Sequence, residues 1–295
     1  MSEVLLHAQK VSIQFGGLKA LCDFDLEIKS GDLKGLIGPN GAGKTTAFNV
    51  LTGVYRPTSG TVQVAGEVVN GRLPHQINRL GLARTFQNIR LFKSLSALDN
   101  VKVACLAESH PLFRASGIEA LRKSGQSFMA NGLDALNNYY DWWRALLLTP
   151  GFLREEVNIE DRALELLSVM GLRHRAEEEA GSLPYGEQRR LEIARALGTR
   201  PKVLLLDEPA AGMNTKEKAE LMVLIRELRD RFSLGILVIE HDMKLVMGIC
   251  EQITVLDHGE TIAYGTPEAV KKNPKVVEAY LGEAAKTDRP IGATP

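Results

Sequence analysis

The sequence predicts an α/β protein built on a mainly parallel sheet, with an antiparallel β subdomain at its start and a helical subdomain inserted partway along. Three observations predict it. An apolar strand, Leu33 to Ile37, runs into a glycine-rich loop, and Ala47 to Leu51 continues with apolar residues at helical spacing. Two further apolar runs, Val203 to Leu206 and Gly235 to Ile239, each follow a helical pattern, Glu187 to Leu197 and Lys216 to Arg231. Such alternation implies right-handed crossovers and a parallel sheet covered by helices. Between the β regions, Ala97 to Leu183 is dominated by Ala, Leu, Glu and Arg, with helical periodicity as in Ala163, Leu166, Leu167 and Met170.

In chain order, Val4 to Ile13 and Ala20 to Ile28 read as strands flanking the glycine turn Gly16-Gly17. The second alternates Leu21, Phe24, Leu26 and Ile28 with polar residues, so an antiparallel pair is expected. Gly60 to Val69 reads as another hairpin arm and Pro74 to Leu80 as a short helix. Glu283 to Pro295, polar with two prolines, reads as a frayed tail. The expected divisions are a core with the antiparallel subdomain over 1–95, the helical subdomain over 96–185, core again over 186–250, its C-terminal part over 251–282, and a flexible tail over 283–295.

The 295 residues carry 36 basic and 36 acidic side chains and are 44% hydrophobic, the proportions of an ordinary globular protein. Zero net charge gives no general attraction to phosphate backbones, so nucleic acid is not expected as a partner. Cys22, Cys105 and Cys250 are far apart and odd in number, which predicts reduced thiols in a cytosolic protein rather than a disulfide framework. The longest apolar runs fall far below the ~18 residues needed to span a bilayer, and the N-terminus has no basic region followed by an apolar stretch.

The loop Gly38-Pro39-Asn40-Gly41-Ala42-Gly43-Lys44-Thr45-Thr46 fits G-x-x-x-x-G-K-[ST] in the required context, between a strand and a helix. Its glycines let backbone amides wrap phosphates, Lys44 reaches the β and γ phosphates, and Thr45 is placed to ligate Mg²⁺. About 160 residues on, the apolar run Val203 to Leu206 ends in Asp207-Glu208, at the edge of the sheet where α/β proteins bind ligands. Asp207 is expected in the Mg²⁺ shell, and Glu208 is expected to orient or partly deprotonate the attacking water. Glu240-His241-Asp242 ends the strand Gly235 to Ile239, and a ring N–H of His241 can bond the γ phosphate there. The helix beginning at Gly186 has unpaired leading amides, which suit an anion.

At this point the residues resemble the ATP-binding subunits of ABC transporters, whose fold is that of a P-loop NTPase, and the resemblance covers roughly residues 4 to 282. It implies that Gln87, within Ala83-Arg84-Thr85-Phe86-Gln87, is the Q-loop glutamine and a further metal ligand, that Leu183-Pro184-Tyr185-Gly186-Glu187 is the signature, that Ala211 to Asn214 is the D-loop, and that His241 is the switch histidine. Phe15 sits where this family places the aromatic that stacks on adenine. Finer features resemble the branched-chain amino-acid uptake branch, and the first of that system's two ATPases: Phe15 to Leu21, Gln87 to Phe92, Glu240 to Met247, and Asn273-Pro274 with Glu278 to Gly282. Uptake systems for urea or short amides share much of this pattern, and lipopolysaccharide-export ATPases share less.

The resemblance implies ATP hydrolysis, with Mg²⁺, that powers import of branched-chain amino acids or closely related small solutes. The implied partners are a second ATP-binding subunit, identical or different, two membrane permease subunits and a substrate-binding protein acting through them. The implied location is peripheral, on the cytoplasmic face of the membrane. The rival reading is a soluble ABC-type ATPase that works without a permease, or the ATPase of a lipopolysaccharide-type exporter. Two features depart from the family pattern. Pro184 stands where the family usually has a serine whose hydroxyl bonds the γ phosphate across a dimer, and Ala107 to Gly151, with Tyr139, Tyr140, Trp142 and Trp143, is longer than the family core needs.

Overall fold

The computed structural model describes residues 3–109 and 150–287. The expected extension around Tyr139 to Trp143 lies outside the described residues. The chain groups into two compact units, one holding the chain up to Asn88 and from Pro201 onward, the other running from Ile89 to Arg200.

The first unit is built on two sheets. β1 (Val4–Phe15), β2 (Leu18–Lys29), β4 (Ser59–Val64) and β5 (Glu67–Val68) form an antiparallel sheet in the order β2-β1-β4-β5. β3 (Leu33–Ile37), β6 (Leu82–Arg84), β7 (Val203–Asp207), β8 (Gly235–Ile239), β9 (Gln252–Asp257) and β10 (Glu260–Gly265) form the other, in the order β10-β9-β3-β8-β7-β6. All its pairings are parallel except that of β9 with β10. Every residue of β7 and β8 is buried, which is why both read as continuous apolar runs rather than alternating ones. In β1 and β2 one face alternates inward, through Leu6, Ala8, Val11 and Ile13 against Leu21, Phe24, Leu26 and Ile28. That face shares one core with Phe48 and Leu51 of the helix Lys44–Leu51 and with Leu205 and Leu237.

The order of the parallel sheet positions the chemistry. Because β3, β8 and β7 are neighbours, the segments leaving their carboxyl ends lie side by side: the loop before Lys44, the residues after Ile239, and Asp207 with Glu208. The first hairpin is antiparallel, as its alternation predicts, but longer, reaching Phe15 and resuming at Leu18 around Gly16 at φ 57°. The structure adds β6, β9 and β10 and the C-terminal helices Pro267–Lys272 and Pro274–Thr287. Residues 283–287, expected in the tail, continue the last of these helices.

In the second unit the helices Ala97–Ser109, Pro150–Val169 and Tyr185–Gly198 pack on one another, burying Val101, Leu166, Leu167, Ile193 and Leu197. A Cβ on Gly198 would come within 2.9 Å of the Ala104 Cβ, so glycine allows this helix to approach its neighbour. The helix Tyr185–Gly198 groups with this unit, whereas a division after residue 185 would have placed it with the core. Among the described residues no helix is long and apolar enough to cross a membrane. Cys22, Cys105 and Cys250 form no disulfide, and burial pushes the Cys250 thiol up to about 12, which keeps it a protonated, inert core group.

Candidate active site

The loop after β3 is set by backbone conformations that side chains resist. Gly38, Gly41 and Gly43 all have positive φ, and a Cβ on Gly43, at φ 101°, would lie 2.6 Å from the Ala20 carbonyl oxygen. Lys44 follows as the first residue of its helix and is 8% exposed. Its ammonium donates to the carbonyl oxygens of Gly38 (2.6 Å) and Pro39 (2.8 Å), which holds a buried cation inside the curve of the loop. Thr45 is exposed beside it, at a helix start whose leading amides and dipole favour an anion.

Asp207 closes β7, buried, and Glu208 turns out of the strand in the left-handed region at φ 45°. That conformation is strained for a residue with a Cβ and costs on the order of 1 kcal/mol or more. It is held by the Glu208 amide donating to the Ile239 carbonyl at 2.9 Å. The side chain meets two of the residues singled out from sequence: Gln87 Nε2 donates to Glu208 Oε2 at 3.0 Å, and His241 Nδ1 lies 3.6 Å from the same oxygen. Gln87 and His241 therefore converge on the Glu208 carboxylate. Thr45, Asp207 and Gln87 offer hydroxyl, carboxylate and amide oxygens, a hard set that fits Mg²⁺ and gives no purchase to a soft metal.

His241 is exposed, yet its backbone is pinned on both sides. Asp242 caps the helix Met243–Ile249, accepting from the amides of Lys244 and Leu245, and pairs with Lys218 at 2.7 Å. The Lys218 hydrogen bond holds the Asp242 carboxyl below its usual range. Glu240, 1% exposed, accepts from the Ala210 amide at 2.8 Å, so the segment after Glu208 is tied to the end of β8. Its other oxygen has no hydrogen-bond partner. Sequence reading passed over Glu240, and its signal was a carboxylate directly following five apolar residues.

Burial pushes the Glu240 carboxyl above its usual 4.5, against the hydrogen bond from Ala210. A raised folded-state pKa means that the stability this group contributes is fully present below about 4.5 and is lost as pH rises through the folded value. Glu240→Gln should therefore flatten the decline of unfolding free energy across that window, as read by urea denaturation at successive pH values. Parallel curves for the two proteins would show that the carboxyl ionises as an exposed one does.

Phe15 ends β1, 45% exposed, and meets Tyr55 edge to face at 5.2 Å between ring centres. In the second unit the segment Leu183 to Glu187 begins with Leu183 buried, while Pro184 and Tyr185 are exposed. Pro184 sits one residue before the helix, at its N-cap, with φ −54° and ψ 150° and no side-chain cap. Gly186 is buried, and Glu187 lies 3.5 Å from the Arg175 Nε.

A sequence model of the ABC transporter family matches residues 21–211, about two thirds of the chain, and spans the glycine-rich loop before Lys44, Gln87, Leu183 to Glu187 and Glu208. The chain belongs to that family. A second model, described as branched-chain amino acid ATP-binding cassette transporter, matches residues 260–286 of the cassette. The cassette is 44% identical over 284 residues to the high-affinity branched-chain amino acid transport ATP-binding protein LivG of Escherichia coli K12, covering 96% of this chain and all of that one. It is 43% identical, over the same shares, to the corresponding protein BraF of Pseudomonas aeruginosa. Among solved structures it is similar to the ADP conformation of an ATP-binding cassette of an ABC transporter, with TM-score 0.73 and 27% identity over 95% of this chain and 99% of that one. The cassette is thus a nucleotide-binding ATPase subunit of an ABC transporter, with membrane permease subunits as its partners.

Proposed function

We propose that this cassette hydrolyses Mg²⁺-ATP to power uptake of branched-chain amino acids, working on the cytoplasmic face of the membrane beside a second, different ATP-binding subunit. Two permease subunits and a substrate-binding protein complete the assembly. The observation that carries the hydrolytic part is the convergence of Gln87 and His241 on Glu208, next to Asp207 and on the sheet edge shared with the phosphate loop. When bound, Mg²⁺ neutralises charge developing on the phosphates. Thr45, Asp207 and Gln87 would hold it, Lys44 and the loop amides grip the phosphates, and Phe15 stacks on adenine. Glu208 accepts hydrogen bonding from a water and draws off its proton, while His241 donates to the γ phosphate.

The likeness to LivG and BraF over nearly the whole chain supports the solute class. Purification of the tagged cassette from detergent-solubilised membranes should bring down hydrophobic permease subunits. Reconstituted with them and the binding protein, it should drive ATP-dependent uptake of radiolabelled leucine, isoleucine and valine. Recovery without membrane subunits would defeat the transport reading; uptake of urea or short amides in place of leucine would defeat only the solute.

Pro184 supports the different-partner reading, because it removes the hydroxyl that would reach a γ phosphate held by the other subunit. Serine is a favoured N-cap residue, so Pro184→Ser suits this backbone position. A hydrogen bond to a charged oxygen contributes about 1.5 to 3 kcal/mol, so turnover of the assembled complex should rise about tenfold or more. Unchanged ATP affinity and turnover would mark the proline as neutral.

A further inference from the structure

Arg84 is the last residue of β6, three positions before Gln87, and its side chain is about one-tenth exposed. Its Nη2 lies 3.0 Å from Asp207 Oδ2. Its Nη1 donates to Asn49 Oδ1 at 2.8 Å and to Thr52 Oγ1 at 3.2 Å, on the last turn of the Lys44 helix and its C-cap. The Nε donates to the Thr85 carbonyl at 3.3 Å, and the guanidinium plane meets Phe48 at 5.7 Å and Phe86 at 4.9 Å. The next residue contributes as well: the Asp207 amide donates to Thr85 Oγ1 at 3.2 Å.

One planar, permanently charged group thus joins the helix that carries Lys44 and Thr45 to the carboxylate that ends β7. A fixed fork is suited to this, since each donor direction is set by the others, whereas an ammonium on a flexible stem serves one acceptor well. Ligands of a metal are commonly held by such outer partners, and loss of the partner typically lowers metal affinity or activity 10- to 100-fold.

We propose that Arg84 is a positioning residue for Mg²⁺ binding: it fixes the direction of the Asp207 carboxylate relative to the helix bearing Thr45, so that both oxygens face the same metal. The inference rests on Asp207 being a metal ligand, and the experiment separates the two claims.

The test is equilibrium binding of a fluorescent ADP analogue to the full chain, titrated with Mg²⁺, so that no turnover enters the readout. Arg84→Met should raise the Mg²⁺ concentration for half-saturation at least tenfold while leaving binding of the metal-free nucleotide near wild type. Arg84→Lys, which can reach Asp207 but not also Asn49 and Thr52, should fall between them, and a shift of threefold or more in it supports the proposal even if Arg84→Met fails to fold. Wild-type Mg²⁺ half-saturation in the folded arginine variants, with Asp207→Asn shifted, would overturn the role of Arg84, whatever their melting temperatures. No shift in Asp207→Asn would remove the metal-ligand reading and this inference with it.

Discussion

Glu208→Gln is expected to lower ATP turnover by about 10²- to 10⁴-fold, the range for removing a positioned base, while ATP binding stays near wild type. Glutamine keeps the length of the side chain, the Gln87 contact and the same strained backbone at φ 45°, so the comparison reports the lost charge and little else. Asp207 cannot substitute, because it is buried and engaged with Arg84 at 3.0 Å. The variant should also accumulate with ATP bound, which size-exclusion chromatography of the cassette with its partner subunit would register as a stabilised complex. Turnover at the wild-type rate in Glu208→Gln would mean that another group activates the water.

The same residues show where sequence was legible. Asp207, Glu208 and His241 stood out because each stands at or just past the end of a buried apolar strand, and Lys44 because it closes a glycine-rich phosphate-loop pattern after β3. β7 and β8 were legible for the same cause, being buried throughout. β6 was not: three residues are too short for a periodicity, and the last is an arginine whose inward direction makes sense only once Asp207, 123 positions away, lies beside it. Glu240 directly follows the apolar run of β8, but its role depends on a partner amide 30 positions away, that of Ala210, which the run itself does not reveal. The C-terminal helix overran the expected tail because Ala284 and Ala285 extend a helical run whose composition near Thr287 looked merely polar. The helix Tyr185–Gly198 packs on the helices Ala97–Ser109 and Pro150–Val169, an association set by packing rather than by motif order, so the order of motifs along the chain does not reveal it.

Lys44→Ala is expected to weaken ATP binding by about two orders of magnitude or more and to abolish turnover, the opposite division of effects from Glu208→Gln. The ammonium is buried, and its two carbonyl partners are neutral oxygens of the loop itself, Gly38 and Pro39. Phosphate oxygens offer it a stronger, charge-assisted bond at about 1.5 to 3 kcal/mol each, so two such bonds correspond to roughly 10²-fold or more in affinity. Alanine also leaves the two carbonyls without this donor in a partly dry loop, so the melting temperature of the nucleotide-free protein should fall by a few degrees without loss of fold, as the helix Lys44–Leu51 remains anchored through Phe48 and Leu51. Equilibrium binding of a fluorescent ATP analogue, with circular dichroism on the same samples, separates the two effects. Wild-type affinity in a folded Lys44→Ala protein would place the phosphates elsewhere and leave Lys44 as a brace of its own loop.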